Sequence, residues 1–361
     1  MSKPTVIDLF CGAGGLSKGF EMAGFNTILG IDIDKWSCLT FAYNFGNKKF
    51  RKKIVSLKNN EIEKWLNETD FKQSKIIYKD IKKIDVDELK SSIDDVDLII
   101  GGPPCQGFSM AGRRDPNDPR NSLFMGFVKF VRTFKPKWFV MENVTGLLVS
   151  KTANGENVSE IIKQEFESIP YRVDKFILNS ANYGVPQKRR RLFFIGTNTD
   201  KKIEPPFPTH DKNPKKFLKT LGIRRWTLKK QIRKWVPVRK VLFKESEVDE
   251  KYFHTQKMID GFINRKQRNV ENGRGFGWQI LKMKEPSYTI SARYWKDGSD
   301  ALVMYSPTKV RMLTERECAR IQKFPDNFQF VGPKREVYRQ IGNSVPTLLA
   351  KAIGEKIKEN L

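Results

Sequence analysis

The stretch Thr5-Val6-Ile7-Asp8-Leu9-Phe10-Cys11-Gly12-Ala13-Gly14-Gly15, followed by a helical pattern over 16–22, decides the fold. A short apolar run reads as a buried strand. The glycines behind it let the chain turn tightly into a helix. They also let a ligand lie against bare backbone, near the positive end of that helix. The fingerprint G-x-G-x-x-G, counted from Gly12, needs glycine at position 17, which is serine, so a nicotinamide reading is disfavoured. Outward from this unit the alternation repeats. Strands are predicted at 27–31, 75–78, 98–100, 138–141 and 192–195, and helices at 35–44, 122–134 and 158–168. Strands alternating with helices predict an α/β fold with a mostly parallel sheet covered on both faces. Residues 46–74, rich in Lys, Asn and Glu, read as an inserted surface helix and loop. Past Gly196 the alternation gives way to basic, aromatic and Gly-rich stretches, which suggest a second, less regular domain. A clear amphipathic helix spans 347–358, and there is no internal repeat.

Acidic residues recur where strands end. Gly30-Ile31-Asp32-Ile33-Asp34 closes the second strand, and Asp80-Ile81 follows the third. An acid at a strand end accepts hydrogen bonds from ribose hydroxyls. Together these residues suit an adenosine ligand, with Asp32 on the ribose, Ile33 and Ile81 against the adenine face, and Asp80 near its amino group. Any one acid alone is more often an ordinary loop or cap residue. Their recurrence after successive strands is the signal.

Pro103-Pro104-Cys105-Gln106-Gly107-Phe108 follows the apolar run 96–102. A thiol just past a buried strand, on a Pro/Gly-shaped loop, is placed like a nucleophile. A lone cysteine otherwise favours plain packing. Trp138-Phe139-Val140-Met141-Glu142-Asn143-Val144 puts Glu142 at the end of another strand, on the edge that lines the crevice of an open α/β sheet. A thiol and a carboxylic acid together suit covalent activation of a ring: the thiol adds, and the acid serves a ring nitrogen. In Gln187-Lys188-Arg189-Arg190-Arg191, strand alternation would point Arg189 and Arg191 to the same side. The bland alternative is a solvated basic turn. Gln340-Ile341-Gly342-Asn343-Ser344-Val345-Pro346 leads into the last helix as a cap, or returns to a ligand.

The chain carries 67 Lys+Arg against 41 Asp+Glu, a net charge of +26. The excess is concentrated. Residues 211–240 hold twelve basic residues and one acid, with Trp226 and Trp235 among them. A basic stretch with interleaved aromatics is the footprint of a polyanion. Pro214 and Pro237 break any amphipathic membrane helix, so nucleic acid is favoured over a lipid surface. Four widely spaced cysteines argue against a disulfide framework or a zinc site, and the two distant histidines, His210 and His254, against a metal centre. The N-terminus has no apolar signal region, and no run is long enough to span a membrane, which together give the expectation of a cytoplasmic protein.

Taken jointly, six segments resemble the DNA cytosine-5 methyltransferases of the bacterial restriction–modification type. They are D-L-F-C-G-A-G-G at 8–15, G-G-P-P-C-Q-G-F-S at 101–109, M-E-N-V at 141–144, Q-K-R-R-R at 187–191, L-T-E-R-E-C-A-R at 313–320 and G-N-S-V-P at 342–346. They span nearly the whole chain in the family's order. The resemblance implies a mixed, Rossmann-like methyltransferase sheet with S-adenosylmethionine as cofactor, S-adenosylhomocysteine as product and no metal. It also implies a second, smaller target recognition domain. The implied division is a catalytic and cofactor-binding domain at 1–198, recognition domain at 199–305, a hinge at 306–338, and a helix at 339–361 returning to the catalytic domain. Carried over by motif, Cys105 attacks carbon 6 of a flipped cytosine, Glu142 serves ring nitrogen N3, and Arg191 contacts the cytosine oxygen with Arg189 close by. Phe10, Gly12, Gly14, Asp32, Ile33, Asp80, Ile81, Pro104 and Asn343 hold the cofactor. The segment 109–120, with Ser109, Arg113 and Arg120, resembles the family's closing loop. Thr289-Ile290 resembles the family's recognition-domain pair, and Arg274, Arg293 and Lys296 are candidates for base edges or phosphates. The implied partners are double-stranded DNA and, functionally, a cognate restriction endonuclease, with the enzyme a monomer. One departure is local: the family usually has glycine where Lys323 stands.

Three other readings stay open on sequence. An RNA cytosine-5 methyltransferase would share the motifs, but it has no obvious need of the large basic region. A non-catalytic DNA-binding module is disfavoured by Cys105 together with Glu142, and a nicotinamide oxidoreductase by the glycine pattern.

Overall fold

A computed structural model describes residues 2–104, 123–152, 155–221, 231–273 and 278–361. Seven strands, β1 Thr5–Leu9, β2 Asn26–Asp32, β3 Ile76–Tyr78, β4 Leu98–Gly101, β5 Trp138–Val144, β6 Arg172–Asn179 and β7 Arg190–Thr197, form one sheet in the order β3-β2-β1-β4-β5-β7-β6. The first five run parallel, and β7 runs antiparallel to β5. The mostly parallel α/β sheet anticipated from the alternation is therefore present, and β7 makes it mixed, as the resemblance implied. Parallel strands are buried on both faces, which explains why β4 and the first half of β5 read as continuous apolar runs. Ile7, Leu9, Ile99, Phe139 and Met141 are at most 1% exposed and join one core cluster.

The helices covering the sheet arise where apolar residues recur at helical spacing. They are α1 Gly15–Met22, α2 Lys35–Phe45, α6 Val86–Ser91, α7 Leu123–Phe134 and α8 Val158–Glu167, with α3 Phe50–Ser56, α4 Ile62–Glu68 and α5 Phe71–Ser74 making up the insertion after α2. On α7, residues Phe127, Val128, Phe130, Val131 and Phe134 are buried, a continuous apolar stripe. The start of α1 is unusual. Its N-cap, Gly14, has no side chain to cap with, and the buried Asp8 of β1 takes over, accepting from Ser17 N–H at 3.3 Å and Ser17 Oγ at 2.7 Å.

The chain divides into two compact units. One comprises Met1–Leu178, Arg190–Pro206 and Leu349–Leu361, the other Asn179–Arg189 and Phe207–Leu348. The second contains β8 His210–Asp211, β9 Arg233–Lys234, β10 Val303–Ser306 and β11 Lys309–Arg311, with α9 Pro214–Thr220, α10 Gln256–Glu271, α11 Glu315–Ile321 and α12 Lys334–Asn343. The last helix, α13 Thr347–Lys358, passes into the first unit. Among the elements that escape the sequence pattern are β6 and the 16-residue α10.

One motif of the second unit holds its core. Arg311 and Glu317 are fully buried and joined by two parallel bonds of 2.8 and 2.9 Å. Glu317 also accepts from the Thr314 and Phe243 N–H groups at 2.8 and 2.9 Å. A buried ion pair persists when its remaining lone pairs are met in this way. After α11 the chain turns at Lys323 with φ 63°, the left-handed conformation that glycine adopts most easily.

Candidate active site

Because β1 to β5 are parallel, their carboxyl ends lie along one edge of the sheet. The strand order reverses between β1 and β4, and that switch point is where ligands bind in open α/β folds. The loops after β1 and β4 both begin there, the first carrying Phe10, Gly12 and Gly14, the second Gly102, Pro103 and Pro104.

The β1 loop is strained. Phe10 has φ 56°, followed by Gly12 at 53° and Gly14 at 87°. A non-glycine residue in this region is held there by its surroundings, as at many ligand sites. The two glycines differ in purpose. A Cβ on Gly12 would meet nothing within 4 Å, whereas one on Gly14 would come within 2.4 Å of the Phe45 ring. Gly12 leaves open space beside the backbone, and Gly14 makes room for α2.

Asp32 closes β2 at the same edge. Its Oδ2 accepts from Gly12 N–H at 2.8 Å and its Oδ1 from Asp34 N–H at 2.8 Å. The backbone of Ile33 is a third, weaker donor to this carboxylate, which still has acceptor capacity to spare. Burial pushes the Asp32 carboxyl above its ordinary range, against the pull of these backbone donors. Next to it Ile33 is 64% exposed, a large apolar side chain left uncovered. Asp80 caps a short turn by accepting from Lys82 N–H at 3.0 Å. Ile81 is 6% exposed and packed into the core, so the open apolar surface at this edge belongs to Ile33 rather than to Ile81. An open backbone cradle, a carboxylate with spare acceptor positions and an uncovered apolar side chain fit the adenosine part of S-adenosylmethionine.

The second cluster lies at the ends of β4 and β5. Their register sets Gly101 beside Met141, so Gly102 lies next to Glu142. A Cβ on Gly102 would come within 3.1 Å of Glu142 Oε2, so glycine lets the carboxylate overlie the loop. Asn143 Nδ2 donates to Pro103 O at 3.1 Å, anchoring that loop to β5. Across the antiparallel β5–β7 pair Arg191 faces Val144, which makes it a diagonal neighbour of Glu142 on the same face. Its Nε lies 2.9 Å from Glu142 Oε1.

Several residues assigned from sequence belong to the second unit. Arg189 stands one residue before β7. It falls in the second unit, is 2% exposed, and donates to Ile290 O at 3.2 Å. Asn343 is exposed at the end of α12, also in the second unit, where Ser344 Oγ turns back to Gln340 O at 2.8 Å. Thr289, Arg293 and Lys296 are in the same unit. Arg293 and Lys296 are exposed, while the Thr289 hydroxyl donates to Lys188 O at 3.0 Å. Cys105, Ser109, Arg113, Arg120 and Arg274 lie outside the described residues. One contributor, Asn143, had no sequence signal of its own, although it sits inside a quoted motif.

A sheet of this order, with a glycine loop and an acidic strand end at its switch point, defines the class of S-adenosylmethionine-dependent methyltransferase folds. The same fold occurs in the Entamoeba histolytica methyltransferase EhMeth, with a TM-score of 0.70 at 17% identity over 100% of this chain and 99% of that one. It also occurs in a putative DNA modification methyltransferase of an Escherichia coli prophage, with a TM-score of 0.64 at 24% identity over 99% of both chains. The chain belongs to the C-5 cytosine-specific DNA methylase family, whose model matches residues 4–71 and 51–359. It is 35% identical to the Type II methyltransferase M.DdeI of Desulfomicrobium norvegicum, over 98% of this chain and 88% of that protein. It is 34% identical to M1.HphI of Haemophilus parahaemolyticus, over 98% and 86%. Family membership decides among the readings left open by the sequence: the protein is a DNA cytosine-5 methyltransferase. No helix among the described residues is long and apolar enough to cross a membrane.

Proposed function

We propose that the enzyme methylates carbon 5 of a cytosine flipped out of a short specific duplex sequence, through a covalent Cys105 adduct. The observation that carries this reading is the placement of Glu142, held by Arg191 on one oxygen and overlying Gly102 with the other, three residues before Cys105. The Cys105 thiolate adds to carbon 6 of the ring. The displaced electron pair moves toward carbon 5 and N3, and Glu142 supplies the proton or hydrogen bond that N3 then needs. Bound S-adenosylmethionine supplies the methyl group. A base removes the carbon 5 proton, the carbon 6–sulfur bond breaks, and aromaticity returns. Arg191 keeps Glu142 in place and meets the cytosine oxygen. Phe10, Gly12, Asp32, Ile33, Asp80 and Pro104 form the cofactor cradle. Flipping the base costs a few kcal/mol of stacking, which DNA contacts must offset.

Those contacts include the basic part of the second unit, within the proposed recognition region 199–305. A cavity of about 630 Å³ there is lined by Lys212, Lys215, Lys219 and Lys234 with Asn213 and Leu218. Lysines of one sign around a cleft suit phosphate oxygens. In a restriction–modification system the methylation would protect host DNA from a cognate endonuclease.

A duplex carrying 5-fluorocytosine at the target base tests the adduct. Fluorine cannot leave as a proton, so after methyl transfer the carbon 6–sulfur bond should persist as a protein–DNA conjugate that survives denaturation. Cys105→Ala should form no conjugate and methylate nothing. Turnover by Cys105→Ala would overturn the covalent route.

A further inference from the structure

Two buried glutamines form an amide relay in the second unit. Ile290 N–H donates to Gln187 Oε1 at 2.9 Å, Gln187 Nε2 to Gln322 Oε1 at 2.9 Å, and Gln322 Nε2 to Ile341 O at 3.0 Å. Both side chains are fully buried. Each link donates in the same direction, so reversing either amide would set donor against donor and acceptor against acceptor.

The relay joins three motif segments. Ile290 belongs to the Thr289-Ile290 pair, Gln187 opens the segment Q-K-R-R-R, and Ile341 directly precedes G-N-S-V-P. Further bonds lock the first two together. Lys188 N–H donates to Ser287 O at 2.9 Å, Thr289 Oγ1 to Lys188 O at 3.0 Å, and Arg189 to Ile290 O at 3.2 Å. Ser180 closes the loop behind them, bonding to Gln187 O at 2.6 Å and to Arg189 N–H at 3.2 Å. The third segment is seated as closely: a Cβ on Gly342 would lie 2.3 Å from Ser291 O. Apolar side chains could fill the same volume. What amides add is a single allowed register, since a slip would bury unmatched donors and acceptors.

We propose that Gln187, with Gln322, is a positioning residue that sets the register of the Thr289-Ile290 recognition pair against the segment whose next strand carries Arg191. Chain connectivity makes this consequential. Arg189 ends the first segment of the second unit, Arg190 begins β7, and Arg191 follows at once to hold Glu142. The register that Gln187 fixes on the recognition pair is thus fixed two to four residues before the arginine of the catalytic cluster. The proposal rests on the catalytic reading given above.

The test uses the full chain as Gln187→Leu and Gln187→Glu. Rates are taken per active site, counted by 5-fluorocytosine trapping, on the methylated target sequence and on duplexes differing from it by one base pair. Gln187→Leu should lower kcat about tenfold, lower the preference for the target over the altered duplexes, and leave S-adenosylhomocysteine affinity unchanged. Gln187→Glu supplies the conservative control and covers a failure of the leucine variant to fold. A neutral carboxylic acid can still accept from Ile290 N–H and donate to Gln322, while a carboxylate cannot donate. Its kcat relative to wild type should therefore fall as pH rises. Wild-type per-site rate and preference in Gln187→Leu, or a relative kcat of Gln187→Glu that does not change with pH, would overturn the positioning role. If the wild-type enzyme methylated no duplex cytosine, it would be the catalytic reading that had failed.

Discussion

Arg191 Nε stands 2.9 Å from Glu142 Oε1, with the two side chains only 17% and 14% exposed. The antiparallel register of β5 and β7 produces this pairing, because Arg191 is opposite Val144 and so diagonal to Glu142. The guanidinium fixes one carboxylate oxygen and leaves the other over Gly102. Glu142→Gln keeps the shape but gives a weaker acid and a weaker acceptor. It should lower kcat by roughly 10²–10³ while S-adenosylhomocysteine affinity changes little. Steady-state kinetics and calorimetric titration check this, and equal losses in both would make Glu142 structural.

Asp8 gives the protein a pH-dependent stability. Burial pushes its carboxyl up to about 7, against the pull of its Ser17 bonds. Its Oδ1 has no hydrogen-bond partner among the described residues. A carboxyl raised in the folded state stabilises when protonated. The contribution is complete below about pH 4, where the unfolded group is also protonated, and is lost as pH rises through about 7. Asp8→Asn should remove this slope. The stability difference between wild type and Asp8→Asn should move toward the variant by a few kcal/mol, order of magnitude, from about pH 4 to pH 8. Parallel curves of urea midpoint against pH would count against it.

Lys323 holds φ 63° in the turn after α11, and Thr347 Oγ1 donates to its carbonyl at 2.5 Å. A glycine adopts this conformation without strain, though it is freer when unfolded. Lys323→Gly should raise unfolding free energy by about 0.5–1 kcal/mol, read from the denaturant midpoint with an unchanged slope. A loss of stability would show that the lysine side chain, not the backbone turn, matters there.

The lysine-lined cavity predicts how binding responds to salt. The logarithm of DNA affinity should fall linearly with the logarithm of salt concentration. Each lysine that neutralises a phosphate contributes about 0.9 to the slope. Replacing Lys212, Lys215 and Lys219 by Gln should flatten the slope by about 2–3 if all three meet phosphates. An unchanged slope would place those charges in solvent.

Much of the fold was legible because the central strands are buried on both faces and read as apolar runs. β6 was not, since it lies at the sheet edge and its sequence Arg-Val-Asp-Lys-Phe-Ile-Leu-Asn alternates poorly, with mixed burial to match. α10 was hidden for a related reason: only Ile259 and Phe262 are buried along its 16 residues, and the rest is polar. At the site, Asp32, Glu142 and the glycine loops lie at strand ends along one edge, where the pattern put them. Pattern alone could not separate Gly12, which faces open space, from Gly14, which yields to Phe45. Nor could it foresee that Arg189 and Arg191, two residues apart, take different partners, Ile290 and Glu142. The strand begins at Arg190, so Arg191 lies within it and Arg189 just before it.

Base-resolution mapping of methylated cytosine tests the account most directly. The purified enzyme and S-adenosylmethionine are incubated with plasmid DNA and, separately, with total transfer RNA. The account predicts methylation at carbon 5 of cytosine within one recurring duplex sequence and none in RNA. Methylation confined to RNA, or of neither substrate, would contradict it.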